Sequence, residues 1–175
     1  MKTYILSIFN MAVLTAAMLC SVAVAFAPGF SLENFQESLR DFSPAEVKKW
    51  RVEAERGDAE AQVNLGMAYW VGNGIDQNSR EGVRWWRTAA EKGNADAQLM
   101  LGLAYFAGVG VIGDVREGYI WLTIASVNGN ETAVWALHEP YMHSTLLLNK
   151  VEVNSAKKEA EKRLEEIDRR KAQNE

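Results

Sequence analysis

The strongest constraint on this chain is an internal duplication. Residues 57–90 and 93–126 align without a gap at an offset of 36, with 15 identities in 34 positions. The landmarks keep that offset: Gly66 and Gly102, Tyr69 and Tyr105, Trp85 and Trp121. A period of this size marks stacked pairs of helices, because one pair cannot bury its apolar face alone and each copy completes its neighbour's core.

Helix punctuation follows the same register. Ser43-Pro44-Ala45-Glu46 is a capping box with proline at the first helical position. It opens a helix over residues 44–55. Trp50 and Ala54 lie 36 before Trp86 and Ala90, so this is the second helix of an incomplete preceding unit. In the first full repeat, helix A runs from the N-cap Asp58 to about Val71, where Gly72-Asn73-Gly74 ends it. Helix B follows Asn78, with Glu81 in its first turn, and runs to about Glu91. The second repeat reuses this punctuation with Asn94, Gly108-Val109-Gly110, and Asp114 with Glu117. A third unit starts at Gly129-Asn130 but departs: His138 replaces the helix A glycine and Pro140 interrupts the helix. It reads as an end cap.

The repeated residues divide by physical task. Ala61, Leu65, Ala68 and Tyr69 form the buried stripe of helix A, and Trp85, Trp121, Ala89 and Ala125 that of helix B. Gly82 and Gly118 sit inside helices, where glycine costs about 1 kcal/mol relative to alanine. With Gly66 and Gly102 they predict a close approach of helices A and B. A last helix begins at Asn149, with Glu152 completing a capping box. Val153, Ala156, Ala160, Leu164 and Ile167 form its stripe, suited to docking on the last repeat or to a short coiled coil. Pairs such as Glu165–Arg169 support it, and residues 171–175 are expected to fray.

The pattern Ala-x-Gln-x-x-Leu-Gly-x-x-Tyr-x-x-Gly-x-Gly, then Arg-Glu-Gly-x-x-Trp-x-x-x-Ala-Ala, resembles the Sel1-like repeat, a relative of the tetratricopeptide repeat with a longer glycine-bounded loop. The resemblance covers residues 57–126. It implies an all-α chain: a short α/α solenoid of antiparallel helix pairs, closed by capping helices at both ends. It also implies a non-enzymatic scaffold for protein–protein contacts, and exported bacterial members of the family are common. The expected organisation is a repeat domain over 43–148, with full repeats at about 57–92 and 93–128, flanked by a capping segment over 26–42 and a helix over 149–175. In the N-terminal cap, Leu32, Phe35, Leu39 and Phe42 form a helical stripe behind Ser31.

The first 25 residues read as an export signal: Lys2, an apolar stretch over residues 11–19, and the small-residue site Ala23-Val24-Ala25. The mature chain is then expected to begin at Phe26, in the periplasm or outside the cell, with no membrane insertion. An uncleaved anchor is the alternative, disfavoured by Asn10 and by the shortness of the run. Cys20, the only cysteine, leaves with the signal, so no disulfide is expected. The net charge of −4 and pI near 5.3 carry no basic stripe for nucleic acid.

No catalytic or cofactor constellation stands out. His138 and His143 are five apart across a proline, not at the spacing that puts zinc ligands on one helix face. The Gly-x-Gly turns follow helices and lack the lysine of a phosphate loop. His143-Ser144 is adjacent in sequence only, which is no catalytic geometry. What differs between repeats is more informative. Helix A lines the concave side of a tetratricopeptide-like pair. Outside its packed positions it offers Val63, Met67 and Trp70 in repeat one and Leu99, Leu103 and Phe106 in repeat two, flanked by Glu60 and Asp96. These six form the candidate partner-binding groove, either open or filled by a terminal helix. The leading expectation is an adaptor for an unidentified protein or peptide. The alternatives are a structural subunit of an envelope complex or, least favoured, a hydrolase of cell-wall fragments or antibiotics; cysteine-rich relatives have been linked to such roles, but their paired cysteines are missing here.

Overall fold

The computed structural model describes residues 42–138 and 149–174. The residues read as an export signal, the expected cap over 26–42 except for Phe42, and the segment holding Pro140, Tyr141 and His143 lie outside the described residues. These residues form helices α1 (Pro44–Glu55), α2 (Ala59–Val71), α3 (Ser79–Glu91), α4 (Ala95–Ala107), α5 (Val115–Val127), α6 (Glu131–His138) and α7 (Lys150–Asn174), with no strand among them.

Each helix starts where its cap dictates. The Ser43 N–H donates to Glu46 Oε2 at 2.8 Å and the Glu46 N–H to Ser43 Oγ at 3.2 Å, closing the capping box of α1. Asp58, Asn78, Asn94, Asp114 and Asn130 each accept from the backbone N–H three residues on. The A helices end on left-handed glycines, Gly72 (φ 79°) and Gly108 (φ 64°). Such a conformation crowds any Cβ, and it turns the chain towards the B helix.

Helix α2 packs on α3 and α4 on α5 as the two repeat pairs, while α1 against α2, α3 against α4 and α5 against α6 join successive units. The pair contact runs through glycine. A Cβ on Gly82 would lie 2.7 Å from the Gly66 carbonyl oxygen, and one on Gly66 would collide with the Trp86 indole. In repeat two, a Cβ on Gly102 would lie 3.1 Å from the Gly118 oxygen, and one on Gly118 3.0 Å from the Gly102 oxygen. Trp86, Leu101, Ile120 and Ile124 are fully buried between the repeats. Val47, Ala54, Ala61, Leu65 and Ala68 form the N-terminal core, covered by Trp50 and by Phe42, whose ring meets Trp50 edge-on at 5.0 Å.

A polar device accompanies the apolar one. Gln62 and Gln98 are buried, and their amides donate to Ala54 O at 2.9 Å and Ala90 O at 3.0 Å. Each ties an A helix to the last turn of the preceding B helix, adding a second donor to a carbonyl that also accepts from a backbone N–H three residues on, Gly57 at 3.0 Å and Gly93 at 2.9 Å.

Helix α7 folds back onto α5. Ala156, Ala160 and Ile167 are buried there, with Val153 and Leu164 beside them, so the stripe docks on the last repeat. Two expectations change. Residues 171–173 remain helical, because Ile167 is buried and the Lys171 stem lies over Gly93. The ion pairs near the end of α7 are Arg170–Glu166 at 2.6 Å and Lys171–Asp168 at 3.6 Å, not Glu165–Arg169.

Replacing Gly82 with alanine is expected to destabilise the protein by about 1–3 kcal/mol, the cost of overpacking, although alanine is the better helix former. The measurement is urea unfolding followed by circular dichroism. Unchanged or higher stability would show that glycine does not set the α2–α3 approach.

Candidate functional site

The six groove positions do not form one exposed strip. Val63, Met67 and Trp70 are half-buried and pack on the inter-repeat core. The Trp70 ring sits 5.0 Å from that of Trp86, whose indole N–H donates to the Val63 carbonyl at 3.2 Å. Leu99 is only 7% exposed and belongs to a core with Leu122, Ala125, Ala133 and Ala136. The abbreviated third unit explains this: α6 supplies Ala133 and Ala136 where a full repeat would place its A helix. Leu99 is therefore core and not surface, which corrects its assignment to the groove. Leu103 and Phe106 are half-buried against the same cluster, the Phe106 ring lying over Gly118. Five of the six thus keep a solvent-facing edge while packing inward. Glu60 and Asp96 are exposed, and Asp96 accepts from the Asn130 amide at 2.8 Å.

The two B helices differ more than their shared motif implies. Arg84 and Thr88 are exposed on α3, yet their counterparts on α5 are Ile120 and Ile124, both fully buried. Helix α5 is apolar on nearly every side, and such a helix must be covered all round. Helix α7 is the cover. A charged clamp fixes it: both terminal nitrogens of Arg163 donate to the Glu117 carboxylate at 2.7 Å, and Nε donates to Glu159 at 3.4 Å. The same guanidinium lies 5.9 Å from the centre of the Trp121 ring. The Glu117 hydrogen bonds push the Arg163 pKa up against partial burial, keeping it charged. In α3 the equivalent Glu81 pairs locally with Arg84 at 3.3 Å. The change from Arg84 to Ile120 was the sequence signal that Glu117 needs a distant partner; Arg163 was not singled out from the sequence.

Two further groups are shifted. Burial raises the Tyr119 phenol above its ordinary 10.0. The hydrogen bond from Arg170 lowers the carboxyl of the exposed Glu166. Among the described residues no three His, Cys, Asp or Glu side chains come together as a metal site would need. No helix among them is long and apolar enough to cross a membrane.

The Sel1 repeat family matches residues 59–94 and 95–130, two abutting 36-residue units in the register of α2–α3 and α4–α5. The chain carries two Sel1-like repeats. Among solved structures, it is similar to a protective antigen of uropathogenic Escherichia coli strains that displays an SLR fold. That match has 28% identity and a TM-score of 0.62, and covers 68% of this chain and 25% of the antigen. It also matches a Sel1 repeat protein from Oxalobacter formigenes, at 36% identity and a TM-score of 0.48, over 50% of this chain and 35% of that one. No curated protein matches the sequence. Sel1-like repeat folds are generally protein–protein interaction modules and typically non-catalytic scaffolds, and their all-helical solenoid is the architecture described above.

Replacing Arg163 with alanine leaves Glu117 without its partner and is expected to cost about 1.5–3 kcal/mol, the range for hydrogen bonds to charged groups. Hydrogen exchange should rise first in α7; uniform protection across α5 and α7 in the variant would remove the clamp from the account. For Tyr119, 3% exposed, the folded pKa lies above the unfolded value of 10.0. Its contribution is complete below that pH and is lost as pH rises through it, because the unfolded chain then releases a proton that the folded chain retains. Tyr119→Phe should flatten the alkaline fall in stability measured by unfolding at pH 9 to 11.

Proposed function

We propose that this Sel1-like repeat protein is a non-enzymatic adaptor exported to the bacterial envelope, periplasmic or secreted, that holds a peptide or helix of a partner protein against the A helices. One observation carries the reading of the face. Val63, Met67, Trp70, Leu103 and Phe106 keep a solvent-facing edge beside the exposed carboxylates of Glu60 and Asp96. Aromatic residues and methionine are enriched in the cores of protein interfaces. They also occupy the positions at which the two repeats differ, where the scaffold leaves the residue type free. Export rests on Lys2, the apolar stretch over residues 11–19 and Ala23-Val24-Ala25. A permanent structural subunit of an envelope complex would use the same surface, and differs by fixed stoichiometry.

The test is photo-cross-linking in cell envelopes from position 67, with the captured protein identified by mass spectrometry. Trp70→Ala/Phe106→Ala should reduce capture about tenfold or more, the effect of losing interface anchors. Trp70 packs against Trp86, so Met67→Gln/Leu103→Gln serves as a milder second pair, with helicity checked by circular dichroism. Undiminished capture by both folded variants would move the binding face elsewhere. Export is checked separately, by the N-terminal residue of the protein recovered from the periplasm.

A further inference from the structure

A second surface lies where the start of α5 meets the first half of α7. A cleft of about 540 Å³ opens there, lined by Arg116, Asn154, Ser155, Lys158, Glu159 and Lys162, with Val151 beside them, 77% exposed. We infer that this cleft binds an extended acidic segment of a partner protein. The inference goes beyond the A-helix face and is independent of it, since the residues belong to other helices.

Charge carries the first step. Arg116, Lys158 and Lys162 form no ion pair within 4.0 Å of any carboxylate among the described residues, and Lys162 has only a longer-range attraction to Glu166. The one carboxylate lining the cleft, Glu159, is engaged by Arg163, which also holds Glu117. Three cations and one carboxylate therefore line one opening, an excess of positive charge in a chain whose net charge is −4. Arg116 is steadied across it by donating to Ser155 Oγ at 3.4 Å. Asn154 and Ser155 add neutral hydrogen-bonding groups, the mixture that recognises carboxylates.

Spacing carries the second. Lys158 and Lys162 are one turn apart, about 6 Å along the helix axis. In an extended peptide, side chains on one side recur every second residue, about 6.7 Å apart. Alternate carboxylates therefore match successive lysines. From Ser155 to Lys162 the donor strip runs about 10 Å, longer than one phosphate group, which would meet only part of it. Nucleic acid would extend past the cleft over an acidic protein. The exposed Val151 gives an apolar foothold for a side chain between the carboxylates.

The experiment is fluorescence anisotropy of the full chain with a labelled peptide of alternating glutamate and serine, against the same peptide with glutamine for glutamate. Lys158→Gln/Lys162→Gln removes charge from two exposed side chains. It should weaken binding of the acidic peptide about tenfold, the combined effect of two exposed charge contacts, with unchanged circular dichroism. Affinity should also fall with added salt. Lys48→Gln/Lys49→Gln, the same loss of charge on α1, should leave binding within about twofold, as expected when the removed charges lie beyond screening range. Equal binding of the glutamine peptide would overturn the proposal. So would equal weakening by the α1 pair, which would reduce the effect to net charge. Displacement by pyrophosphate as effective as by unlabelled peptide would reassign the cleft to small anions and also overturn it. Trp70→Ala/Phe106→Ala should leave this affinity unchanged; a loss there would mean the peptide reads the A-helix face instead.

Discussion

The contact between backbones at Gly66 and Gly82, repeated at Gly102 and Gly118, is the constraint on which the rest of the molecule depends. Without side chains at these points, the A and B helices of each pair approach until one glycine's missing Cβ would press on the other's carbonyl. That approach sets where Trp86 lies and brings its indole within hydrogen-bonding distance of the Val63 carbonyl. Trp86 then becomes the centre of the core shared by the two repeats. The glycines are poor helix formers, and their cost is offset by close packing and the dispersion contacts it brings.

The buried glutamines extend this logic from within a pair to between pairs. Gln62 and Gln98 donate to the last turns of α1 and α3, so each unit grips its predecessor through a helix end. The device is directional and repeats with the fold. It is completed in only one of the two copies: the Gln98 side-chain oxygen accepts from Asn128 at 2.8 Å, whereas the buried Gln62 oxygen has no partner, because Lys92, in the place of Asn128, donates instead to the Gly57 carbonyl at 2.9 Å.

The C-terminal half departs from repetition, and its own features arise there. Helix α5 is apolar where α3 is charged, because α7 covers it and the Arg163–Glu117 clamp holds that cover. Leu99 passes from surface to core because α6 packs beside it. A stack of ideal repeats would carry the same groove on every unit. Here the apolar face proposed for binding lies on the A helices, and the α5–α7 junction adds a cationic cleft. One chain thus offers two chemically distinct surfaces, one apolar and one cationic.

Much of the fold was legible in the sequence, since repeats and caps are local. Ser43, Asp58, Asn78, Asn94 and Asp114 each cap a helix with hydrogen bonds spanning three residues, and Gly72 and Gly108 end helices through their own backbone angles. A 36-residue offset then sorts scaffold from variable positions with no coordinates at all. What the sequence alone did not decide was what covers each variable position. Leu99 and Leu103 occupy equivalent kinds of site in the pattern, yet one is core and the other keeps an exposed edge. Arg163 belongs to a charge-rich helix whose pattern gives no preference among several partners, and it reaches Glu117 across 46 residues. Such contacts depend on how whole helices settle on one another, which local spacing does not encode, so the tertiary structure decided the surface while the repeat had already determined the frame.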